Sequence, residues 1–266
     1  MAIKVVVHGA AGKMGQEVLR AVCRDPELKV VGAIDVQAKQ EALPLPFGSG
    51  SIPYSSNVES ILKRCQPHVL VDFSVAEASL TAARLSAQYK VNIVIGTTGL
   101  APQNVQDIKG WVQAQGIGGI VAPNFAIGAV LLIHLSRMVS QFKDFKAAEI
   151  IEMHHDEKID APSGTALATA QVMIEARGQP FSNNKPQKVS LEGTRGGETG
   201  GISIHSMRLP GLLAHQEVVF GALGQTLSIR HDTISRECFI PGVIMAIKEV
   251  VKRPGFIYGL DQLLGL

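Results

Sequence analysis

The sequence predicts an α/β fold in two domains, with a parallel sheet in the first. Three observations carry that expectation. Short β-branched runs alternate with longer helix-patterned stretches through the first half of the chain, which implies right-handed βαβ units. The runs are apolar throughout, as in strands buried on both faces. Beyond Asn124 the pattern changes to a long apolar helix and then to segments with a period of two. Such segments suit a sheet with one face exposed or packed on a partner.

In order, the expected strands of the first domain are 4–8, 29–34, 68–73, 91–95 and 119–122, with helices at 13–24, 58–64, 76–89 and 102–115. Next come a helix over 127–142, a strand over 147–153 and a helix from Gly164 to Gly178, whose glycine reads as a C-cap. Residues 179–201 are rich in Gly, Pro, Asn and Lys and read as a long surface loop. Alternating segments at 202–208, 216–220 and 226–231 follow. A helix over 241–251 closes the chain and returns to the first domain. The expected domains are 1–125, completed by about 240–266, and 126–239.

The 266 residues, 46% hydrophobic and 18% charged, are enough for a proper core. A net charge of +2 gives no electrostatic reason to expect nucleic acid or an anionic membrane as partner. The longest apolar stretch, Ile127 to Leu135, is too short to span a bilayer and contains His134. The opening Met1-Ala2-Ile3-Lys4-Val5 runs straight into a strand and lacks the regions of a signal peptide. Cys23, Cys65 and Cys238 form no CxxC pair and no metal cluster. A cytoplasmic protein with reduced thiols is expected.

Gly9-Ala10-Ala11-Gly12-Lys13-Met14-Gly15 follows the first strand directly and opens the first helix. A turn stripped of Cβ atoms lets a pyrophosphate approach the backbone, and the helix start adds N–H donors and a positive dipole end. The spacing is GxxGxxG, so the motif draws its weight from context. A second strand ends in Ile34-Asp35, where a carboxylate would meet adenosine ribose hydroxyls. The competing reading is a glycine turn that only packs helix against strand. Three further strand ends carry Phe73-Ser74, Gly96-Thr97-Thr98-Gly99 and Ala122-Pro123-Asn124-Phe125. Singly these are turn chemistry; together on one carboxyl edge they mark a crevice for ribose and nicotinamide. NADH or NADPH is therefore the expected cofactor. Lys13 would favour a 2′-phosphate and Asp35 would repel one, so the residues leave that choice open.

The densest chemistry lies between Glu152 and Ala166. Pro162-Ser163 before an Ala-rich run reads as an N-cap, with Gly164 and Thr165 in the first turn. Free N–H groups and hydroxyls there make a carboxylate receptor, and His155 and Lys158 add positive charge. A dicarboxylate is the natural substrate class, with His154 as proton donor. Two other readings of the His pair stand beside this one. In the first, one ring is buried and bonded while the other is solvated. In the second the pair binds zinc, but no third ligand lies at helical or finger spacing, and no metal is expected.

The run from Glu152 through Ala166 is similar to the signature of dihydrodipicolinate reductases, E-x-H-H-x-x-K-x-D-A-P-S-G-T-A. The glycine turn, Gly96-Thr97-Thr98-Gly99 and Ala122-Pro123-Asn124-Phe125 occur in that family in the same order. His205-Ser206-x-Arg208, His215 with Val218 and Phe220, and Ser235-Arg236 with Phe239 and Gly242 look like its later motifs. The resemblance spans essentially the whole chain. It implies an N-terminal Rossmann-like parallel sheet and a C-terminal mixed α/β domain for substrate binding and oligomerisation, in a homotetramer. His154 would be the acid/base, and Lys158 the proton donor and charge stabiliser. His155, Ser163, Gly164 and Thr165 would hold the substrate carboxylates. Gly9, Ala10, Ala11, Gly12, Lys13, Met14, Asp35, Phe73, Gly96, Thr97, Thr98, Ala122, Pro123, Asn124 and Phe125 would hold the dinucleotide. The implied reaction is NAD(P)H-dependent reduction of 4-hydroxy-tetrahydrodipicolinate with loss of water, in lysine biosynthesis.

Val36 stands where many members carry arginine, Ala126 where serine is frequent, and Ala214 where an acid is frequent. The first departure bears on cofactor choice; the others leave the chemistry untouched. Two rival functions remain from the residues alone: another Rossmann dehydrogenase, such as an aspartate dehydrogenase, or a nucleotide-binding redox sensor that docks a protein through 179–201.

Overall fold

The computed structural model describes residues 1–48 and 50–266. They fall into two compact units, Met1–Ile127 with Arg236–Leu266, and Gly128–Ser235.

In the first unit the chain runs β1 (Ile3–His8), α1 (Lys13–Arg24), β2 (Leu28–Ile34), β3 (Ala42–Pro44), β4 (Ser51–Ser55), α2 (Val58–Cys65), β5 (Val69–Asp72), α3 (Ala76–Gln88), β6 (Asn92–Ile95), α4 (Pro102–Gln115) and β7 (Gly118–Val121). Among the described residues eight strands form one sheet in the order β13-β7-β6-β5-β1-β2-β4-β3. Strands β7, β6, β5, β1 and β2 pair in parallel. Val5, Val6, Val7, Val69, Leu70 and Val71 are wholly buried, which is why those runs lack alternation. The chain order reverses at β1, between β2 and β5, and such a switch point opens a crevice at the carboxyl ends of the strands.

Three strands of this sheet lack a sequence signal. β3 is the outermost strand and pairs antiparallel with β4, whose Pro53 stands before the two residues, Tyr54 and Ser55, that pair with β2. β13 (Gly255–Tyr258) adds in parallel to β7 at the other edge, after the closing helix. Four residues are too few to show periodicity.

The second unit continues with α5 (Ile127–Ser140), β8 (Ala147–His154), α6 (Gly164–Arg177), β9 (Gly197–Thr199), β10 (Ile202–Arg208), β11 (Ala214–Ala222) and β12 (Gln225–Thr233); α7 (Ile240–Val250), β13 and α8 (Leu260–Leu264) return to the first. The second sheet has the order β12-β11-β8-β10-β9. Its core joins Ala148 and Ile150 of β8, Ile202 and Ile204 of β10, and Val218 and Phe220 of β11 to Ala170 and Met173 of α6. β11 and β12 meet at Ala222 and Gln225 across a two-residue turn whose Gly224 takes φ +75°.

Residues 179–201 are more anchored than a surface loop. Phe181 is buried, its N–H donating to Gly200, and β9 lies within the segment. No helix among the described residues is long and apolar enough to cross a membrane.

Candidate active site

Gly9 follows β1 with φ +77°, and a Cβ there would lie 2.5 Å from the Phe73 carbonyl oxygen. Its N–H and that of Ala10 both donate to Ile34 O, which ties the turn to the end of β2. A Cβ on Gly15 would overlap the Gly9 carbonyl, so α1 seats against the turn only because residue 15 has no side chain. Lys13, exposed, is the first residue of α1, with Gly12 as N-cap. The first-turn N–H groups of α1 therefore point out of a cradle that a side chain would fill.

Asp35 is nearly buried beyond β2. Its Oδ2 accepts the Ala11 N–H at 2.9 Å and its Oδ1 the Gln37 N–H at 2.9 Å. No lysine or arginine among the described residues pairs with it. Its place at the turn fits the hydroxyl pair of a ribose.

A cavity of about 290 Å³ opens beside the turn, lined by Met14, Phe73, Gly96, Thr97 and Thr98 together with Pro123, Asn124 and Phe125. Eight expected residues thus meet in one place. The Phe73 and Phe125 rings stand 5.9 Å apart. Ala10 and Ala122 are fully buried and contribute backbone alone. Phe239, just before α7, completes the lining. The cradle and cavity suit a dinucleotide whose diphosphate meets the glycine turn.

Beneath the cavity sits a group that sequence reasoning missed. Asp72, wholly buried at the end of β5, takes the Thr97 hydroxyl at 2.8 Å, the Ser74 hydroxyl at 2.6 Å and the His8 ring at 2.8 Å. Burial opposes its charge, but the His8 contacts and the Ser74 and Ser79 hydroxyls outweigh it and hold the carboxyl below its usual range. The signal was present: a polar residue ending each of the apolar runs 3–8 and 69–72.

In the second unit, Ala148, Ile150 and Glu152 of β8 share the face packed on α6, and His154 ends that row. Glu152 is wholly buried. Its Oε2 lies 2.6 Å from His154 Nδ1 and accepts from Arg208 at 2.9 Å, while Oε1 accepts from Arg208 at 2.8 Å and from the Ser163 N–H at 3.1 Å. Arg208 sits opposite His154 on β10 and also donates to Asp160 O at 2.5 Å. Lys158 Nζ meets the Asp160 carboxylate at 2.5 Å. Lys158 first, with the Asp160 and Gly164 backbone amides adding to it, holds the Asp160 carboxyl below its usual range. Ser163 is buried as N-cap, its hydroxyl accepting the Ala166 N–H at 3.2 Å, whereas Gly164 and Thr165 are exposed. His155 is half-buried, and no side-chain hydrogen bond to it is found among the described residues.

Burial pushes the His154 pKa down and Glu152 pulls it up, with Lys158 and Arg208 adding to the downward side; the net shift is downward. Burial acts against Glu152's charge, but Arg208, Ser206 and His154 keep it below the usual carboxylate range. The site therefore gathers an imidazole, an ammonium and a helix start around one ionised, buried carboxylate. Among the described residues no cluster of three His, Cys, Asp or Glu is set to hold a metal.

Residues 3–125 match a family model described as dihydrodipicolinate reductase, N-terminus, and residues 128–264 one described as dihydrodipicolinate reductase, C-terminus. The chain belongs to the dihydrodipicolinate reductase family. A relative from Dehalococcoides mccartyi, named 4-hydroxy-tetrahydrodipicolinate reductase, is 57% identical, the match covering 99% of each chain. One of the same name from Bacillus subtilis is 40% identical over 98% of each. The solved structure of a dipicolinate-bound dihydrodipicolinate reductase from a Paenisporosarcina species superposes with a TM-score of 0.87 at 38% identity, covering 98% of this chain and 99% of that one. An amine dehydrogenase from Mycobacterium smegmatis, 11% identical with a TM-score of 0.67 over 98% and 96% of the two chains, shares the fold alone. As in other dihydrodipicolinate reductases, the first unit is the NAD(P)H-binding half.

Glu152 and Arg208 lie within the sequence motifs that resemble the family, but nothing in the sequence gives either a role. The strand's period of two puts Glu152 on the apolar face with Ala148 and Ile150. A carboxylate on that face must be paired.

Proposed function

We propose that this chain reduces 4-hydroxy-tetrahydrodipicolinate to tetrahydrodipicolinate with loss of water, in the diaminopimelate route of lysine biosynthesis. The observation that carries the reading is the cluster of His154, Lys158 and the exposed Gly164–Thr165 turn at the end of β8. A dicarboxylate would set one carboxylate on the first turn of α6, with His155 adding positive charge, and would displace the Asp160 carboxylate from Lys158. Ser163 shapes that turn as its cap. The glycine turn, Asp35 and the cavity lined by Phe73 and Phe125 would hold the dinucleotide, whose nicotinamide would supply the hydride that reduces the dehydrated, conjugated imine. Electron density then moves onto the ring nitrogen, where Lys158 stabilises it. His154 delivers the proton that the resulting enamine takes up. No metal has a role in this scheme.

NADH is the favoured dinucleotide, because the Asp35 charge lacks a cationic partner and opposes a 2′-phosphate, and Val36 supplies no arginine to hold one. A homotetramer is supported by the second sheet's face opposite α6, where Ile151, Met153 and Val219 stay half-exposed and Met207 is exposed. A cytoplasmic location is supported by three free cysteines.

The test generates the substrate in situ from pyruvate and aspartate semialdehyde with a synthase, and follows absorbance loss of NADH and NADPH in parallel. Rapid loss, with the larger kcat/KM for NADH, is the expected result. A folded protein that binds dinucleotide yet oxidises neither would overturn the assignment and favour a redox sensor.

A further inference from the structure

We propose that Glu152 is the positioning residue of the reaction: it holds His154 as the Nδ1–H tautomer, so that Nε2 is the nitrogen that exchanges the proton. The inference rests on the reductase reading for its kinetic consequence, but its structural half stands apart from it.

Glu152 has no exposure to solvent, and its oxygens meet the Arg208 guanidinium, the Ser163 N–H and the His154 ring nitrogen. Two come from Arg208 in a fork, a geometry that an ionised carboxylate accepts. An ionised carboxylate has no hydrogen to give, so the 2.6 Å contact to His154 requires that Nδ1 carry the proton. Nε2 is then the nitrogen left free in the neutral ring and the donor in the charged one.

The same carboxylate reaches the rest of the site. Through the Ser163 N–H it fixes the residue that caps α6, and through Arg208 it holds the Asp160 carbonyl in the loop carrying Lys158. One buried group thus sets the ring, the helix start and the lysine loop. A substrate contact is absent from this role: Glu152 faces inward and its oxygens are already engaged.

The charged groups facing His154 are Glu152 on its own strand, Arg208 on β10 and Lys158 in the following loop. On β11 the residue opposite is Ala214, which carries no charge. Glu152 is the one of these that favours the protonated ring. Removing its charge leaves burial, Lys158 and Arg208, all acting to deprotonate.

The experiment compares the parent with Glu152→Gln by ¹⁵N-resolved imidazole NMR, without substrate, and by kinetics across pH. In the parent, the neutral His154 ring is expected as the Nδ1–H tautomer with a low-field, exchange-protected proton. An Nε2–H tautomer there would overturn the proposal, and that measurement needs no variant. In Glu152→Gln, the His154 pKa is expected to fall. Turnover should drop on the order of 10-fold to 100-fold at neutral pH with KM changed less than about 3-fold. The high-pH limb of kcat should move to lower pH. A folded variant with the parent's His154 pKa, tautomer and pH profile would also overturn it. If the parent shows the tautomer but oxidises no dinucleotide with this substrate, the reductase reading fails while the structural role of Glu152 stands.

Discussion

At the scale of single residues, the second unit separates the groups proposed to meet the substrate from the groups that hold them. Lys158 and His154 are partly exposed, with Lys158 paired to the exposed Asp160 carboxylate, whereas Glu152 and Ser163 are buried and fully engaged. Replacing Lys158 by Ala should therefore lower kcat on the order of 10²-fold or more with the fold intact, checked by turnover beside circular dichroism. Thr165→Val removes a contact made equally before and during reaction, and should raise KM about 10-fold with little change in kcat. Glu152→Ala differs in kind. It leaves the Arg208 guanidinium without its carboxylate beside a buried void, and should cost about 3 kcal/mol in denaturant unfolding. At the cofactor end, Asp35→Asn removes one negative charge and should narrow the NADH-to-NADPH ratio of kcat/KM about 10-fold.

Elements show where local pattern suffices. The α6 boundaries read from sequence, Gly164 to a Gly178 cap, reappear with Gly178 in the left-handed conformation, because capping is local chemistry. Ser163→Ala should lower stability by about 1 kcal/mol through that cap. The glycine turn is local too, but its tightness is not. Gly15→Ala forces a Cβ onto the Gly9 carbonyl and should cost about 1–3 kcal/mol and weaken dinucleotide binding at least 10-fold, read by thermal unfolding and fluorescence titration. Strands β3, β4 and β13 are illegible in the sequence because their pairing partners, not their residues, make them strands. The segment 179–201 was misread for a similar reason: its turn-rich composition conceals Phe181, which docks in the core through contacts distant in sequence.

For the whole molecule, acidity links the two units. Asp72 and Glu152 have folded pKa values below their unfolded ones, so their contribution is present above about pH 4 and is lost as pH falls through the folded values. His154 and His231 are also lowered, burial being the first cause, so the fold favours their neutral rings. That contribution is complete above about pH 6.5 and is lost as pH falls from there toward the folded values. Calorimetry should show a Tm level above pH 7, a shallow decline below about 6.5 and a steep one near 4. Burial and then Lys4 lower His68 as well, so a double variant His154→Gln, His231→Gln should lose most of the shallow step and keep the steep one.

The sequence alone determined the parallel sheet, its glycine turn and the signature from Glu152 to Ala166, because apolar runs, turn residues and caps act over a few neighbours. It placed His154 and Lys158 as candidates and could not say what held them. The tertiary structure decided that: Glu152 and Arg208 are 56 residues apart in the chain and become partners only when β10 pairs with β8. In the same way His8, Asp72 and Thr97 meet only where β1, β5 and β6 align at one edge of the sheet. Buried charge is satisfied by whatever folding brings near it, and that is a property of the packed chain rather than of any short stretch.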